Sequence, residues 1–280
     1  MTGAQAADLA ILAGTGDLPK QLAESCARNG RRYIVVEIEG TPLNWTAGHP
    51  AYRTPVEKPG RLIKHLKKNG FGAVVFAGAM NRPEINPVKL DMLGAKLAAS
   101  VLTGTRKGDD AVLREVARLF ENAGFTMEAA HEVLPALLPP AGTLGKRRPS
   151  DVDMKDAARA AELVQALGRL DVGQGAVVVR GLCLGLETLQ GTDRMLEFVA
   201  ATRQVDTTKN GRGVLLKAPK PGQDLRFDLP AIGIETLRKA HAAGLAGVAI
   251  AAGGVMVLRL DEVVAEADRL GLFLWCRPEE

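Results

Sequence analysis

Leu9-Ala-Ile-Leu-Ala-Gly-Thr-Gly-Asp-Leu-Pro-Lys20 decides the fold of the first half of the chain. Five apolar residues, Leu9 to Ala13, run unbroken into a glycine loop, and Leu18, Leu22, Ala23 and Cys26 then share one helix face that stops near Asn29-Gly30. An uninterrupted apolar run is how a strand buried on both faces reads, so strand, glycine loop and helix predict the opening of a parallel sheet. Tyr33–Ile38 and Ala73–Ala77 repeat the strand signature, with amphipathic segments between them as far as about Met127. A later helix over Asp110 to Asn122 carries Val112, Leu113, Val116, Ala117 and Phe120 as its buried stripe, with Gly124 beyond its end. The fold expected is α/β, a parallel sheet covered by helices.

A glycine loop after the first strand lets backbone N–H groups approach a phosphate, with the positive end of the next helix behind them. Gly14, Thr15 and Gly16 are therefore candidates to bind a phosphorylated ligand. A second loop at the same carboxyl edge, Ala77-Gly-Ala-Met-Asn-Arg-Pro83, adds Gly78, Ala79, Asn81 and Arg82. The dinucleotide pattern is not met, because Pro19 stands at the third-glycine position and Asp17 at the helix mouth. Glu37 and Glu39 imitate a ribose-binding acid and keep an NAD-dependent oxidoreductase as an alternative.

With 280 residues the chain exceeds the usual single core, so two domains are expected. Leu137-Leu-Pro-Pro-Ala-Gly-Thr-Leu-Gly-Lys-Arg-Arg-Pro-Ser150 interrupts both periodicities, which divides the chain into domains at 1–138 and 151–280 with a linker at 139–150. The second half starts with a helix over Met154 to Leu167. Strands follow at Ala176–Gly181 and Gly213–Ala218, a helix near Ile234–Ala243, and strands at Val248–Ile250 and Val255–Leu258. This is a separate, mixed α/β unit.

A net charge of +4 favours anionic partners only weakly, and 4% aromatic residues leave no base-stacking surface, so nucleic acid is not an expected partner. No signal peptide or membrane span is legible, and the expected location is the cytoplasm. Cys26, Cys183 and Cys276 are expected to be buried thiols of a reducing compartment. The histidines at 49, 65, 131 and 241 lie apart from one another and from the cysteines, which gives zinc no support, and no Gly-x-Ser-x-Gly elbow points to a serine hydrolase.

In Pro219-Lys-Pro-Gly-Gln-Asp-Leu-Arg-Phe-Asp-Leu-Pro230, the charges Asp224, Arg226 and Asp228 alternate with Leu225, Phe227 and Leu229. Extended backbone would put the three charges on one face, with Asp224 and Asp228 roughly 13 Å apart, too far to chelate one ion from a straight strand. Lys217 and Lys220 precede them and suit phosphate oxygens. Gln190-Gly-Thr-Asp-Arg-Met195 follows Glu187 and opens a helix, with Thr192 as expected N-cap and Asp193 in the first turn. Gln174, in the turn Asp171-Val-Gly-Gln174, is placed to reach a ligand. Scattered carboxylates of this kind suit Mg²⁺, which takes one or two and fills its shell with water and phosphate oxygens.

Ile11-Leu-Ala-Gly-Thr-Gly-Asp-Leu-Pro19, Lys107-Gly-Asp-Asp110, Asp171-Val-Gly-Gln174, Glu187 through Gly191-Thr-Asp-Arg-Met-Leu196, and Gln223-Asp-Leu-Arg-Phe-Asp-Leu-Pro-Ala-Ile-Gly233 follow one another along the chain. In this order they resemble the LpxI-type UDP-2,3-diacylglucosamine pyrophosphatases. The resemblance implies Mg²⁺-dependent hydrolysis of UDP-2,3-diacylglucosamine to UMP and 2,3-diacylglucosamine 1-phosphate (lipid X) in lipid A biosynthesis. It also implies a Rossmann-like N-terminal domain, a family-specific C-terminal domain and a homodimer. Within that frame Asp193, Asp224, Asp228 and Glu187 are the expected metal ligands. Asp228, Asp224, Arg226 and Lys217 are the expected catalytic set, with Asp228 orienting water and Lys217 and Arg226 steadying the leaving phosphate. Gln174, Thr192, Gln223 and the two glycine loops are expected to bind substrate. The two acyl chains call for an apolar cleft and for transient contact with the inner-membrane surface. A non-catalytic carrier of lipids or nucleotide sugars is the remaining alternative.

Overall fold

The computed structural model describes residues 6–80, 85–103, 109–203, 212–227 and 229–278, with backbone alone over 100–103 and 109–111. The chain divides into two compact units, 1–135 and 136–280.

The first unit is built on β1 (Leu9–Ala13), α1 (Leu18–Arg28), β2 (Tyr33–Ile38), β3 (Ala51–Thr54), α2 (Pro59–Lys68), β4 (Ala73–Ala77), α3 (Met92–Thr103), α4 (Asp109–Asn122), β5 (Thr126–Glu128) and α5 (Ala130–Val133). Its five strands are parallel in the order β3-β2-β1-β4-β5, so the chain reverses direction across the sheet between β1 and β4. That reversal opens a crevice at the carboxyl ends of the two strands. Every residue of β1 is buried, as its unbroken apolar run requires. Arg31 ties the edge strand β5 down through two hydrogen bonds of 2.8 Å to the Glu128 carboxylate.

The crevice is closed by its own backbone. Gly14 N donates to Ala77 O at 2.7 Å, Thr15 N to Ala79 O at 2.7 Å, and Ala79 N to Thr15 O at 3.0 Å. A Cβ on Gly14 would lie 2.4 Å from Ala79 O, and one on Gly78, where φ is +87°, would lie 2.4 Å from Thr15 O. Both positions must be glycine for the two loops to meet this closely.

The second unit contains β6 (Gly142–Thr143), α6 (Asp151–Gly168), β7 (Gly175–Val179), β8 (Leu182–Leu186), α7 (Gly191–Thr202), β9 (Val214–Lys217), β10 (Ala231–Ile232), α8 (Ile234–Ala242), β11 (Gly247–Ala251), β12 (Met256–Val257), α9 (Leu260–Leu270) and β13 (Phe273–Arg277). Its main sheet is mixed, in the order β6-β13-β11-β9-β7-β8: β9, β11 and β13 are parallel, and β6, β7 and β8 pair antiparallel to their neighbours. Residues 139–150 fold with this unit, where Gly142 and Thr143 pair with β13. Strand alternation sorts the core by face. Val177, Leu215, Val248, Ile250 and Leu274 pack with Leu196 and Val199 of α7, Leu237 of α8 and Val263 of α9. Ala176, Val178, Leu216, Ala249 and Phe273 pack with Ala157, Ala160 and Val164 of α6. A short second sheet joins β10 to β12 in parallel, so the strand expected after Gly253-Gly254 pairs with β10 and not with β11.

Replacing Gly78 by Ala adds a steric clash to an unfavourable φ and should lower the stability of the first unit by about 1–3 kcal/mol. Gly16→Ala has a φ of +93° but nothing within 4 Å of the added methyl, so it should lose less. Urea denaturation midpoints of the two variants check the order.

Candidate functional site

Polar side chains of the second unit gather at the carboxyl edge of β9. Lys217 ends that strand, in register with Gly175 of β7 and Ile250 of β11. It is only 5% exposed, and a buried ammonium has to be hydrogen-bonded. Its Nζ donates to Thr192 Oγ1 at 2.8 Å and to Ala231 O at 3.4 Å, and lies 3.7 Å from Glu187 Oε2. The Thr192 hydroxyl in turn donates to Glu187 Oε2 at 2.9 Å. Glu187, itself 7% exposed, follows β8 directly and is anchored by its N–H to Gly175 O at 2.8 Å.

This placement depends on residues outside the cluster. Asp156 of α6 accepts from the backbone N–H groups of Arg180 and Gly181 at 2.9 and 2.7 Å, pinning the tight turn from β7 into β8. Gly173 and Gly175 clear space for Glu187: a Cβ on the first would lie 1.9 Å from its carbonyl oxygen, and on the second 2.4 Å from Oε2. None of the three is among the site residues expected from sequence. The repeated glycine around Gln174 was the available signal. Gln174 sits between them, its main-chain oxygen accepting from Ala218 N at 3.1 Å, while its side-chain Oε1 is buried with no hydrogen-bond partner among the described residues.

Thr192 is not the N-cap. The helix starts two residues earlier, with Gln190 in the cap position, which frees the threonine hydroxyl to reach back to Glu187. Asp193, the next residue, is turned about 100° around the helix and faces α8, where Lys239 Nζ lies 2.9 Å from its carboxylate and 2.8 Å from Glu197. Hydrogen bonds donated by Lys239 to Glu197 and then to Asp193 raise its pKa.

The alternating segment before Pro230 is not a strand. Residues 221–222 and 225–227 form turns, with Phe227 N donating to Asp224 O at 3.1 Å. The Asp224 carboxylate accepts from Arg226 N at 3.1 Å, stabilising a local turn in place of a ladder. Arg226 also returns its guanidinium to Asp224, with bonds of 3.0 and 2.8 Å, and lies over the Phe227 ring. Gln223 closes the preceding turn, its Oε1 accepting from Lys220 N at 2.9 Å. Lys220 Nζ pairs with Asp171 at 2.6 Å.

The structure thus brings together Lys217, Thr192 and Glu187, and joins Gln174 to the residue after β9 through its main-chain oxygen. It holds Asp224, Arg226 and Gln223 on the loop that leaves β9, and sends Asp193 to the α7–α8 surface. Asn81, Arg82 and Asp228 lie outside the described residues. Among the described residues no three His, Cys, Asp or Glu side chains converge as a metal site. A mostly hydrated Mg²⁺ needs only one or two carboxylates, and Asp224, half-buried on its loop, has the donor chemistry for it.

In the first unit the expected phosphate loop is already engaged. Thr15 gives both its N–H and its hydroxyl to Ala79 O, at 2.7 and 3.0 Å. Those two donors are not open to a dinucleotide.

A groove of about 480 Å³ runs between β8 and α7, lined by Cys183, Leu184, Leu186, Met195 and Phe198 and reaching Thr188 and Gln190 at the site end. Phe198 and Leu182 are each 59% exposed on its flanks. Cys183 is exposed there, unlike the buried Cys26 and Cys276, so the expectation of three buried thiols fails at this edge strand.

The LpxI N-terminal domain model matches residues 8–137 and the LpxI C-terminal domain model residues 140–275. The chain belongs to the LpxI family. Over 268 residues it is 41% identical to the UDP-2,3-diacylglucosamine pyrophosphatase LpxI of Caulobacter vibrioides, covering 95% of this chain and 96% of that one. The LpxI chain is accordingly an enzyme of the hydrolase class, as its motifs imply. Among solved structures it is similar to the precorrin-6A reductase CobK, with 14% identity, TM-score 0.35, and coverage of 98% of this chain and 89% of that one. An N5-carboxyaminoimidazole synthase from Aspergillus clavatus gives 14% identity and TM-score 0.23 over 62% of this chain and 38% of that one.

Burial pushes the Cys26 and Cys276 thiols above their ordinary pKa, and thiolate is the reactive form. An aromatic disulfide reagent should therefore label one thiol per native chain quickly, and Cys183→Ser should remove that fast phase.

Proposed function

We propose that this LpxI chain hydrolyses the diphosphate of UDP-2,3-diacylglucosamine, releasing UMP and 2,3-diacylglucosamine 1-phosphate (lipid X), with Mg²⁺ as its cofactor. The observation that carries the reading is the 41% identity to the Caulobacter pyrophosphatase over nearly the full length of both chains. The cluster around Lys217 supports it, because a fixed, desolvated cation at a sheet's carboxyl edge suits a diphosphate.

In this reading a water oxygen bonds to one phosphorus while the bridging P–O bond breaks, the leaving phosphate keeps the electron pair, and the proton lost by the water passes to solvent. Lys217 steadies the oxygens on which charge accumulates, and Arg226 adds a second cation from the loop after β9. Gln174 Oε1 accepts from a substrate hydroxyl or N–H, which satisfies an otherwise orphaned acceptor. Asp224 would hold Mg²⁺, which would supply further charge neutralisation. The groove between β8 and α7 takes acyl chain, each buried methylene contributing about 0.8 kcal/mol. No helix among the described residues is long and apolar enough to cross a membrane. Transient contact with the inner-membrane surface from the cytoplasm is part of the proposal. A homodimer belongs to the same reading.

Incubation with UDP-2,3-diacylglucosamine and Mg²⁺ should release UMP, and EDTA should stop the release until Mg²⁺ is restored. Lys217→Met should lower kcat by roughly 10²- to 10³-fold. Failure of the wild-type chain to release UMP would overturn the reading. Phe198→Asp should raise KM about tenfold for long-chain substrate, the equivalent of about 1.4 kcal/mol, and leave kcat nearly unchanged.

A further inference from the structure

We propose that Glu187 is a positioning residue, which acts on substrate only through Thr192 and Lys217 and does not ligate a metal. The inference rests on the reading that Lys217 meets the diphosphate.

The direction of the hydrogen bonds carries it. An ammonium can only donate, so the 2.8 Å contact between Lys217 Nζ and Thr192 Oγ1 makes the threonine oxygen the acceptor. The hydroxyl has one proton, and its only consistent destination in this contact set is Glu187 Oε2 at 2.9 Å. The carboxylate thereby fixes the rotation of the hydroxyl, and the hydroxyl fixes the height of the ammonium above the end of β9. At 3.7 Å Glu187 also supplies the counter-charge that a buried lysine needs.

The same geometry withholds Glu187 from a hydrated cation. Its side chain is 9% exposed. Gly175 approaches so closely that a methyl group there would sit 2.4 Å from Oε2, the oxygen that takes the threonine proton. Mg²⁺ keeps several waters and needs ligands open to solvent, a requirement this pocket does not meet.

Four variants, assayed as the full chain for UMP release across a Mg²⁺ series, test the assignment. Glu187→Gln should lower kcat by roughly 10- to 100-fold, with the Mg²⁺ concentration for half-activation unchanged. Thr192→Val should fall to a similar level, whereas Thr192→Ser, which keeps the hydroxyl, should stay within about threefold of wild type. The double variant Glu187→Gln/Thr192→Val should be little worse than the poorer single one, because both break the same chain of contacts. A Glu187→Gln enzyme rescued by excess Mg²⁺ would make Glu187 a ligand and overturn the proposal. So would equal activity of the Thr192→Val and Thr192→Ser enzymes, a comparison that still decides if Glu187→Gln fails to fold. An active Lys217→Met enzyme would instead sink the underlying reading of the site.

Discussion

Placing an ammonium in a protein interior costs far more than it returns unless the charge and the hydrogen bonds are both met. The partners of Lys217 include a hydroxyl, a backbone carbonyl and a carboxylate at a longer distance. These groups come from α7, β10 and the end of β8, so three otherwise separate connections are constrained to meet at the end of β9. Much of the local architecture answers to that constraint. Asp156 pins the turn that delivers β8, and paired glycines flank Gln174 because the Glu187 backbone and side chain occupy the space a Cβ would take.

The first unit shows a different use of glycine. Its strand order and glycine loop are those of a nucleotide-binding sheet, yet Gly14 and Gly78 let two loop backbones touch each other. A glycine at a strand end reports that something must come close. It does not say whether the visitor is a phosphate or another part of the chain.

Much of the fold was legible because buried parallel strands carry few polar residues. Leu9–Ala13, Tyr33–Ile38 and Ala73–Ala77 were readable to the residue. Strand β3, Ala-Tyr-Arg-Thr, was not, because it lies at the sheet edge and carries solvent-facing side chains. Strand β8 was hidden by its exposed position and by Gly185. Helix α9 had readable signals, acids in its first turn and Gly271 at its end, which the apolar run before it obscured. The run from Asp224 to Phe227 misled for a specific reason: alternation mimics a strand, but the Asp224 side chain captures its own backbone before any neighbouring strand can. For the site, residue types pointed to Lys217, Thr192, Glu187 and Gln174, whereas the contacts of Lys217 with Thr192 and Glu187 span 25 residues and more of chain and follow only from the sheet register. Family motifs named the chemistry that periodicity alone did not.

The acid of the cluster hangs from a strand with one free flank. Strand β8 pairs with β7 alone, through a register shift between Val177 and Val178. An edge strand of this kind opens more readily than the interior strands that hold Lys217. The two ends of the hydrogen-bonded chain therefore belong to regions of unequal local stability. Fraying of β8 would separate them while the core on both faces of the sheet stayed folded, making the working temperature range of the enzyme narrower than its melting curve suggests.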